Sequence, residues 1–233
     1  MLENNHFVRS FGRIKSRKLS DHKKSLYADL LPKYEIKITD KAPKISALEL
    51  KPSKNNFKEI HLEIGFGFGD FLFENAKNNP DIYFVACETH INGIVNLLAK
   101  LELQPLDNIG IFQYDVRYLL NNLEEEIFKK VYILFPDPWP KSRHYKRRLI
   151  NVDFLQILGR KMAQKGELII ATDHDAYKSW IITHLINSRI FKWLAKSKKD
   201  WQIFPKDWIT TKYQRKAGNE GRVSIILHSE KIN

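Results

Sequence analysis

Five carboxylates recur at or just after the ends of short apolar runs: Glu63, Glu88, Asp115, Asp137 and Asp173. A single acid in that position is commonly a turn or helix-cap residue, because Asp and Glu accept hydrogen bonds from the first free N–H groups of a helix. Five brought to one edge of a sheet are different, since like charges repel unless a ligand or cation uses them. The gathering points to a cationic or hydroxyl-rich ligand.

A glycine-rich turn beside Glu63 narrows the ligand further. Gly65, Gly67 and Gly69 stand at positions one, three and five, with Asp70 next. A dinucleotide fingerprint has glycines at one, three and six and sets a pyrophosphate on a helix N-terminus, where Asp70 and Glu63 would repel it. S-adenosylmethionine fits better: it carries a sulfonium, an ammonium and two ribose hydroxyls, and no phosphate. Glu88, 19 residues after Gly69, is spaced to accept both ribose hydroxyls. Glu63 would face the ammonium or sulfonium, and Asp115 the adenine amino group. The alternative, a tight strand-to-helix turn without a ligand, leaves the position of Glu88 unexplained.

The fourth acid sits in an unusual stretch, FPDPWPKSRHYKRR, residues 135–148. Asp137 lies between Pro136 and Pro138, which restrict the backbone and hold the carboxylate in place. Trp139 either stacks on an extracted base or serves as a lid over the core. Lys141, Arg143, Lys146, Arg147 and Arg148 are suited to nucleic-acid phosphates, contacts that position a substrate without reading its sequence. Cys87 lies inside an apolar run and reads as a buried small residue. His61, His90, His144 and His174 have no metal-ligand spacing with cysteine, so no metal is expected.

Elements that place these acids together can be read from the apolar pattern. Strands are predicted at 59–64, 82–87, 109–114, 130–135 and 167–171, alternating with helices at 69–78, 90–103, 116–122, 151–164 and 174–188. Phe154, Leu155, Leu158 and Met162 share one helical face, and Gly166 marks the stop. Extended segments at 208–213 and 222–228 close the chain, with QRKAGNEG as a loop between them. The pattern is α/β: an open, mostly parallel sheet with helices on both faces, whose ligands bind beyond the carboxyl ends of the strands. Residues 1–34 carry eight Lys or Arg against three acids with little periodicity and read as a basic arm, leaving 35–233 as the main domain.

Composition bounds the rest. The 233 residues suit one α/β domain, and the net charge of +12 favours a polyanionic partner, nucleic acid above membrane. A single cysteine excludes an intramolecular disulfide framework and fits a reducing compartment. No signal peptide or membrane-length apolar run is present, so a cytoplasmic protein is expected. Monomer and homodimer both remain open.

The segments LEIGFGFGDFL, ACETH, FPDPWPKSRHYKRRLI, ATDHDAY and TKYQRKAGNEG, in this order, together with the leader VRSFGRIKSRKLS, resemble the bacterial tRNA (guanine-N7)-methyltransferase family. The resemblance runs from residue 8 to about 221. It implies a class I, Rossmann-like methyltransferase fold, S-adenosylmethionine as donor, and transfer to N7 of guanine 46 in the tRNA variable loop. It further implies donor contacts from Glu63, Glu88, Asp115 and Asp137, with Asp137 also the active-site acid. Lys141, Asp173 and the segment Thr211, Lys212, Tyr213, Gln214 would meet the substrate. The family usually has an acid where this chain has Gln214. N7 carries a free lone pair, so catalysis is chiefly alignment and water exclusion. Asp137 would stabilise the positive charge growing on the base, or a carboxylate such as Asp173 would accept the guanine N1–H and amino hydrogens; the residues leave both roles open. Rival readings are less well supported. Exocyclic-amine methyltransferases tend to carry two prolines after the acid, a nicotinamide oxidoreductase conflicts with the glycine spacing, and a non-catalytic RNA-binding module leaves the acids unexplained.

Overall fold

A computed structural model of the chain describes residues 18–38, 44–50, 52, 56–206 and 208–232. Most of the basic leader, residues 1–17, lies outside the described residues. The core is a seven-stranded sheet in the order β3-β2-β1-β4-β5-β7-β6. Its strands are β1 (Glu59–Ile64), β2 (Ile82–Cys87), β3 (Ile109–Phe112), β4 (Phe128–Leu134), β5 (Met162–Thr172), β6 (Phe191–Trp193) and β7 (Ile225–Lys231). The first five are mutually parallel, and β7 runs antiparallel to both β5 and β6.

Parallel strands flanked by helices are buried on both faces, which is why β2 and β3 are nearly continuous apolar runs and why β1 is buried from Ile60 to Ile64 even at its polar residues His61 and Glu63. Alternate residues serve opposite faces. Val85 and Val131 join a core completed by α6 (Val116–Asn122), α7 (Val152–Lys161) and α8 (Asp175–Ser188). Phe84 and Ala86 face the other side, with α4 (Asp70–Asn78) and α5 (Ile91–Leu103). The chain winds outward from β1 through β2 to β3 and then returns to place β4 beside β1. That reversal opens a crevice above the carboxyl ends of β1 and β4, the place where such sheets bind ligands.

Four features depart from the sequence-based expectation. The helix expected to reach residue 164 ends at Lys161, and β5 starts at Met162, five residues before the expected strand. The pairing shifts register between Phe128 and Lys130, so these extra residues form an irregularity that apolar alternation does not mark. Strand β6 is three residues long, too short to show a period. The segment expected as extended and then loop contains instead the helix α9 (Lys212–Asn219), capped by Thr211, which accepts from the Gln214 N–H at 3.0 Å. Only Ala217 of α9 is buried, so no apolar stripe announces it, although Thr-x-x-Gln is a helix-start signature.

The basic arm is also structured where it is described. Asp21–Ser25 (α1), a π-helical turn Leu26–Leu30 and Leu31–Tyr34 (α2) follow one another, and Leu26 and Leu31 are buried against the α5 side of the sheet. The Tyr27 hydroxyl bonds Gln113, and Ile36 N–H donates to the Ile111 carbonyl at 2.8 Å. The short α3 (Ala47–Leu50) follows before β1.

Across the sheet, Glu167 on β5 takes Lys130 of β4 at 3.3 Å and His228 of β7 at 2.7 Å. The His228 hydrogen bond, against some desolvation, lowers the Glu167 pKa from 4.5 to about 2. A depressed folded-state pKa gives stability that is full above 4.5 and is lost as pH falls toward 2. Urea unfolding followed from pH 6 to pH 2 should therefore show a steeper acid loss in the natural protein than in Glu167→Gln.

Candidate active site

The turn after β1 is built from glycine for a geometric reason. Gly65, Gly67 and Gly69 have φ of 74°, 56° and 72°, the left-handed region where a β-carbon is disfavoured. The turn directs the Gly67 N–H to Glu88 Oε2 at 2.9 Å. The other Glu88 oxygen accepts from the N–H groups of Thr89 and His90, each at 2.8 Å. One carboxylate thus joins the end of β2 to the turn after β1. Gly93, in the first turn of α5, completes the fit: a β-carbon there would stand 2.4 Å from the Gly67 carbonyl oxygen and 3.1 Å from Glu88 Cγ.

These parts surround a cavity of about 660 Å³ at the crevice. Gly65, Gly67, Glu88, Asp115, Asp137 and Tyr213 all line it, so the structure brings together six of the thirteen site residues singled out from the sequence. Glu63 instead borders a water-sized chamber of about 20 Å³ next door, shared with Gly65, Thr211, Lys212 and Tyr213. Gly69 is the N-cap of α4, and its position is fixed by close packing, since a β-carbon would lie 3.1 Å from Leu97. Lys141 is exposed before the 3-10 turn Ser142–Arg147, and Asp173 stands apart from the cavity wall. Lys212 places its ammonium 3.9 Å from the centre of the Phe68 ring. Gln214 uses its amide oxygen to accept from Trp208 Nε1 at 2.8 Å, an acceptor role that a carboxylate would fill equally.

The expectation that the strand-end acids form a mutually repelling row, left for a ligand to neutralise, is corrected by their individual surroundings. Asp115 caps α6 and binds Arg117 through both oxygens, with Nε to Oδ1 at 2.8 Å and Nη2 to Oδ2 at 2.7 Å. Asp173 is paired with Arg222 at 2.7 Å. Glu63 is 2% exposed, and burial, followed by the nearby Glu88 charge, raises its pKa to about 8, so it is largely protonated at neutral pH. Repulsion is relieved by two arginines, one proton and the backbone N–H groups on Glu88.

Among the described residues, none gives Asp137 such relief. Its carboxylate opens onto the cavity, yet partial desolvation by the surrounding protein raises its pKa. Both flanks of its turn are strained: Phe135 has φ 53° and Trp139 φ 40°, a region that costs bulky residues about 1–3 kcal/mol each. Trp139 lines the cavity, with Arg147 over its ring at 4.9 Å and His144 at its edge. Arg148 also departs from the sequence-based expectation that it binds phosphate. It is 3% exposed and lies among Tyr145, Tyr177 and Trp180, so it cannot meet a phosphate on the surface.

Cys87 is buried as expected, and burial raises its thiol pKa further. Among the described residues, no three His, Cys, Asp or Glu side chains cluster so as to hold a metal ion. Sequence reasoning missed Lys23, Asn92, Tyr114 and Arg117 on the cavity wall. Arg117 had a readable signal, its place two residues after a strand-end acid. Lys23 had none, because it reaches the site only through the docking of α1 on α5, where it donates to Asn96 at 3.3 Å.

The family described as "Putative methyltransferase" matches residues 58–227. The chain is 37% identical over 218 residues to a protein named tRNA (guanine-N(7)-)-methyltransferase from Rhodopseudomonas palustris (strain BisB18), covering 94% of this chain and 86% of that one. A protein of the same name from Hyphomonas neptunium (strain ATCC 15444) is 37% identical over 209 residues, 90% and 93% of the two chains. Among solved structures, one described as an antibiotic-related methyltransferase superposes with a TM-score of 0.56 at 18% identity, covering 84% of this chain and 97% of that one. That likeness supports the fold, a Rossmann-like class I methyltransferase sheet.

Gly93→Ala tests how tightly the turn is set. Alanine favours a helix by roughly 1 kcal/mol over glycine, but a β-carbon 2.4 Å from a backbone carbonyl oxygen forces the turn to shift at about 1–3 kcal/mol, so thermal stability should fall modestly. The added β-carbon would push on the Gly67 carbonyl, and calorimetric titration should show S-adenosylmethionine affinity reduced about tenfold or more. Unchanged affinity would place the ligand away from this turn.

Proposed function

The chain belongs to the tRNA (guanine-N7)-methyltransferase family, and on that premise we propose that it moves a methyl group from S-adenosylmethionine to N7 of guanine 46 in the tRNA variable loop. The observation that carries this reading is the cavity in which Glu88, Asp115 and Asp137 meet the glycine turn, with cations of residues 141–147 beside it. The partner is tRNA, and the expected compartment is the cytoplasm. Among the described residues no helix is long and apolar enough to cross a membrane.

In the assignment we propose, Gly65, Gly67 and Gly69 let the backbone approach the donor, and Glu88 accepts the ribose hydroxyls. Asp115, steadied by Arg117, faces the adenine amino group, and Glu63 lies toward the ammonium or sulfonium. The donor supplies an activated methyl group on a sulfonium. The N7 lone pair forms the new bond to carbon as the carbon–sulfur bond breaks, and sulfur keeps that electron pair as a neutral thioether. Positive charge passes to the guanine, and no proton has to leave. Asp137, held near the methyl position, stabilises that charge more in the transition state than before it. Lys141 and the α9 start at Thr211–Gln214 are assigned to the tRNA. Asp173, with Arg222 on Oδ2, is assigned to the base edge.

Purified protein given labelled donor and unmodified tRNA should label the RNA, and mapping should find N7-methylguanosine at position 46. Label on another atom or position, or on no tRNA, would sink the reading. Raising salt should weaken tRNA association steeply and leave donor binding nearly unchanged, because only RNA binding releases counterions.

Glu63 gives a separate test. With its pKa near 8 in the free protein, a cationic donor beside it favours the ionised form, so binding below that pH releases a proton. Donor affinity should rise from pH 6.5 toward pH 8, and calorimetry in buffers of different ionisation enthalpy should detect the released proton. In Glu63→Gln that proton release should be absent.

A further inference from the structure

The turn that carries Asp137 is tied to the sheet at its start, where the Phe135 N–H donates to Ala171 O at 2.8 Å, and its two prolines stiffen it but leave it short of hydrogen bonds further on. Pro136 and Pro138 have no N–H to donate, and the residues outside them, Phe135 and Trp139, sit at positive φ. Without a tether beyond Phe135, the Trp139 end of the turn would relax toward unstrained backbone and shift Asp137 with it. Its carbonyls are engaged by Arg148, whose Nε donates to Pro138 O at 2.9 Å and whose Nη2 reaches Trp139 O at 3.5 Å.

Arg148 is itself held from behind. Its guanidinium carbon lies 3.7 Å from the centre of the Tyr145 ring, 4.7 Å from Trp180 and 5.1 Å from Tyr177. These rings are anchored in turn: Trp180 Nε1 donates to Ile150 O at 2.7 Å, Tyr145 meets Trp180 edge-on, and Tyr177 is fully buried on α8. A guanidinium is flat, weakly hydrated and carries its donors in a fixed fork, so it can stack on rings while reaching two carbonyls. A lysine ammonium is a strongly hydrated point charge and cannot do both. Arginine is therefore explained by the geometry, at a depth where a phosphate contact is not available.

We propose that Arg148 is a positioning residue for methyl transfer: from its aromatic box it clamps the Pro138 and Trp139 carbonyls and so fixes where Asp137 meets the reacting base. The proposal rests on the reading of Asp137 as the active-site acid. Arg148 shares the cavity wall with Lys146 and Arg147, and of the three it alone is assigned a conformational role.

The deciding variant is Arg148→Lys, which keeps a cation in the box, with Arg148→Ala and Asp137→Ala beside it. Single-turnover transfer to tRNA at saturating donor should slow about 10- to 100-fold in Arg148→Lys, the scale of a misplaced catalytic group. Donor affinity and the tRNA concentration at half-saturation should change by no more than about threefold, the split expected when only the transition state is affected. Millimolar guanidinium ion should restore part of the rate to Arg148→Ala by refilling the box, and none to Asp137→Ala. A rate in Arg148→Lys within about twofold of the natural protein, or a parallel loss of rate and donor affinity, would overturn the proposal. If Asp137→Ala is slow while Arg148→Lys is fast, the clamp alone fails. If Asp137→Ala keeps its full rate, the reading of the acid fails first.

Discussion

Everything at the site depends on one carboxylate placed between two strands. Glu88 ends β2 but spends its hydrogen-bonding capacity on backbone N–H groups, one from Gly67 across the crevice and two from Thr89 and His90 in its own loop. This fixes the glycine turn against α5, where Gly93 leaves no room for a side chain. The parallel sheet supplies the frame: β1 and β2 are held in register by backbone pairing, so their ends cannot drift apart. A ligand entering the cavity meets a carboxylate whose orientation those N–H groups have already set.

The acids around that anchor are kept by different physical means, and their roles in the proposed chemistry follow from the differences. Asp115 is neutralised by a two-pronged arginine and is suited to a fixed acceptor role. Glu63 holds a proton in burial and is suited to respond when a cation arrives. Asp137 is left facing the cavity on a strained turn, with its charge disfavoured by the protein around it. A carboxylate in that state gains most when positive charge appears beside it, which happens when N7 accepts a methyl group.

Much of this was legible in the sequence because it is carried by strong local signals. Short apolar-rich runs mark the parallel strands, glycines at alternate positions mark the left-handed turn, and acids at the ends of the runs mark the crevice. Where reading failed, the cause lay in tertiary packing. Arg148 looks like any other cation in KRR, and only the arrival of Tyr177 and Trp180 from α8 takes it inside. The pairing of Asp173 with Arg222 joins residues 49 positions apart, with no signal at either end. Helix α9 buries a single alanine and so lacks an apolar stripe, and Lys23 reaches the cavity only because Leu26 and Leu31 dock its helix. In each case the residue type was visible and its neighbour was not.

The account stands on Asp137 acting in the methyl-transfer step and not merely in holding the donor. The direct measurement is the rate of a single turnover in preassembled complexes of donor, tRNA and protein, compared between the natural chain and Asp137→Asn, which keeps the shape and removes the charge. The account predicts a fall of about 100-fold or more in that rate, the usual cost of losing a charge-stabilising group, with donor affinity nearly preserved. A rate that is unchanged once both substrates are bound, with the defect confined to donor affinity, would contradict it.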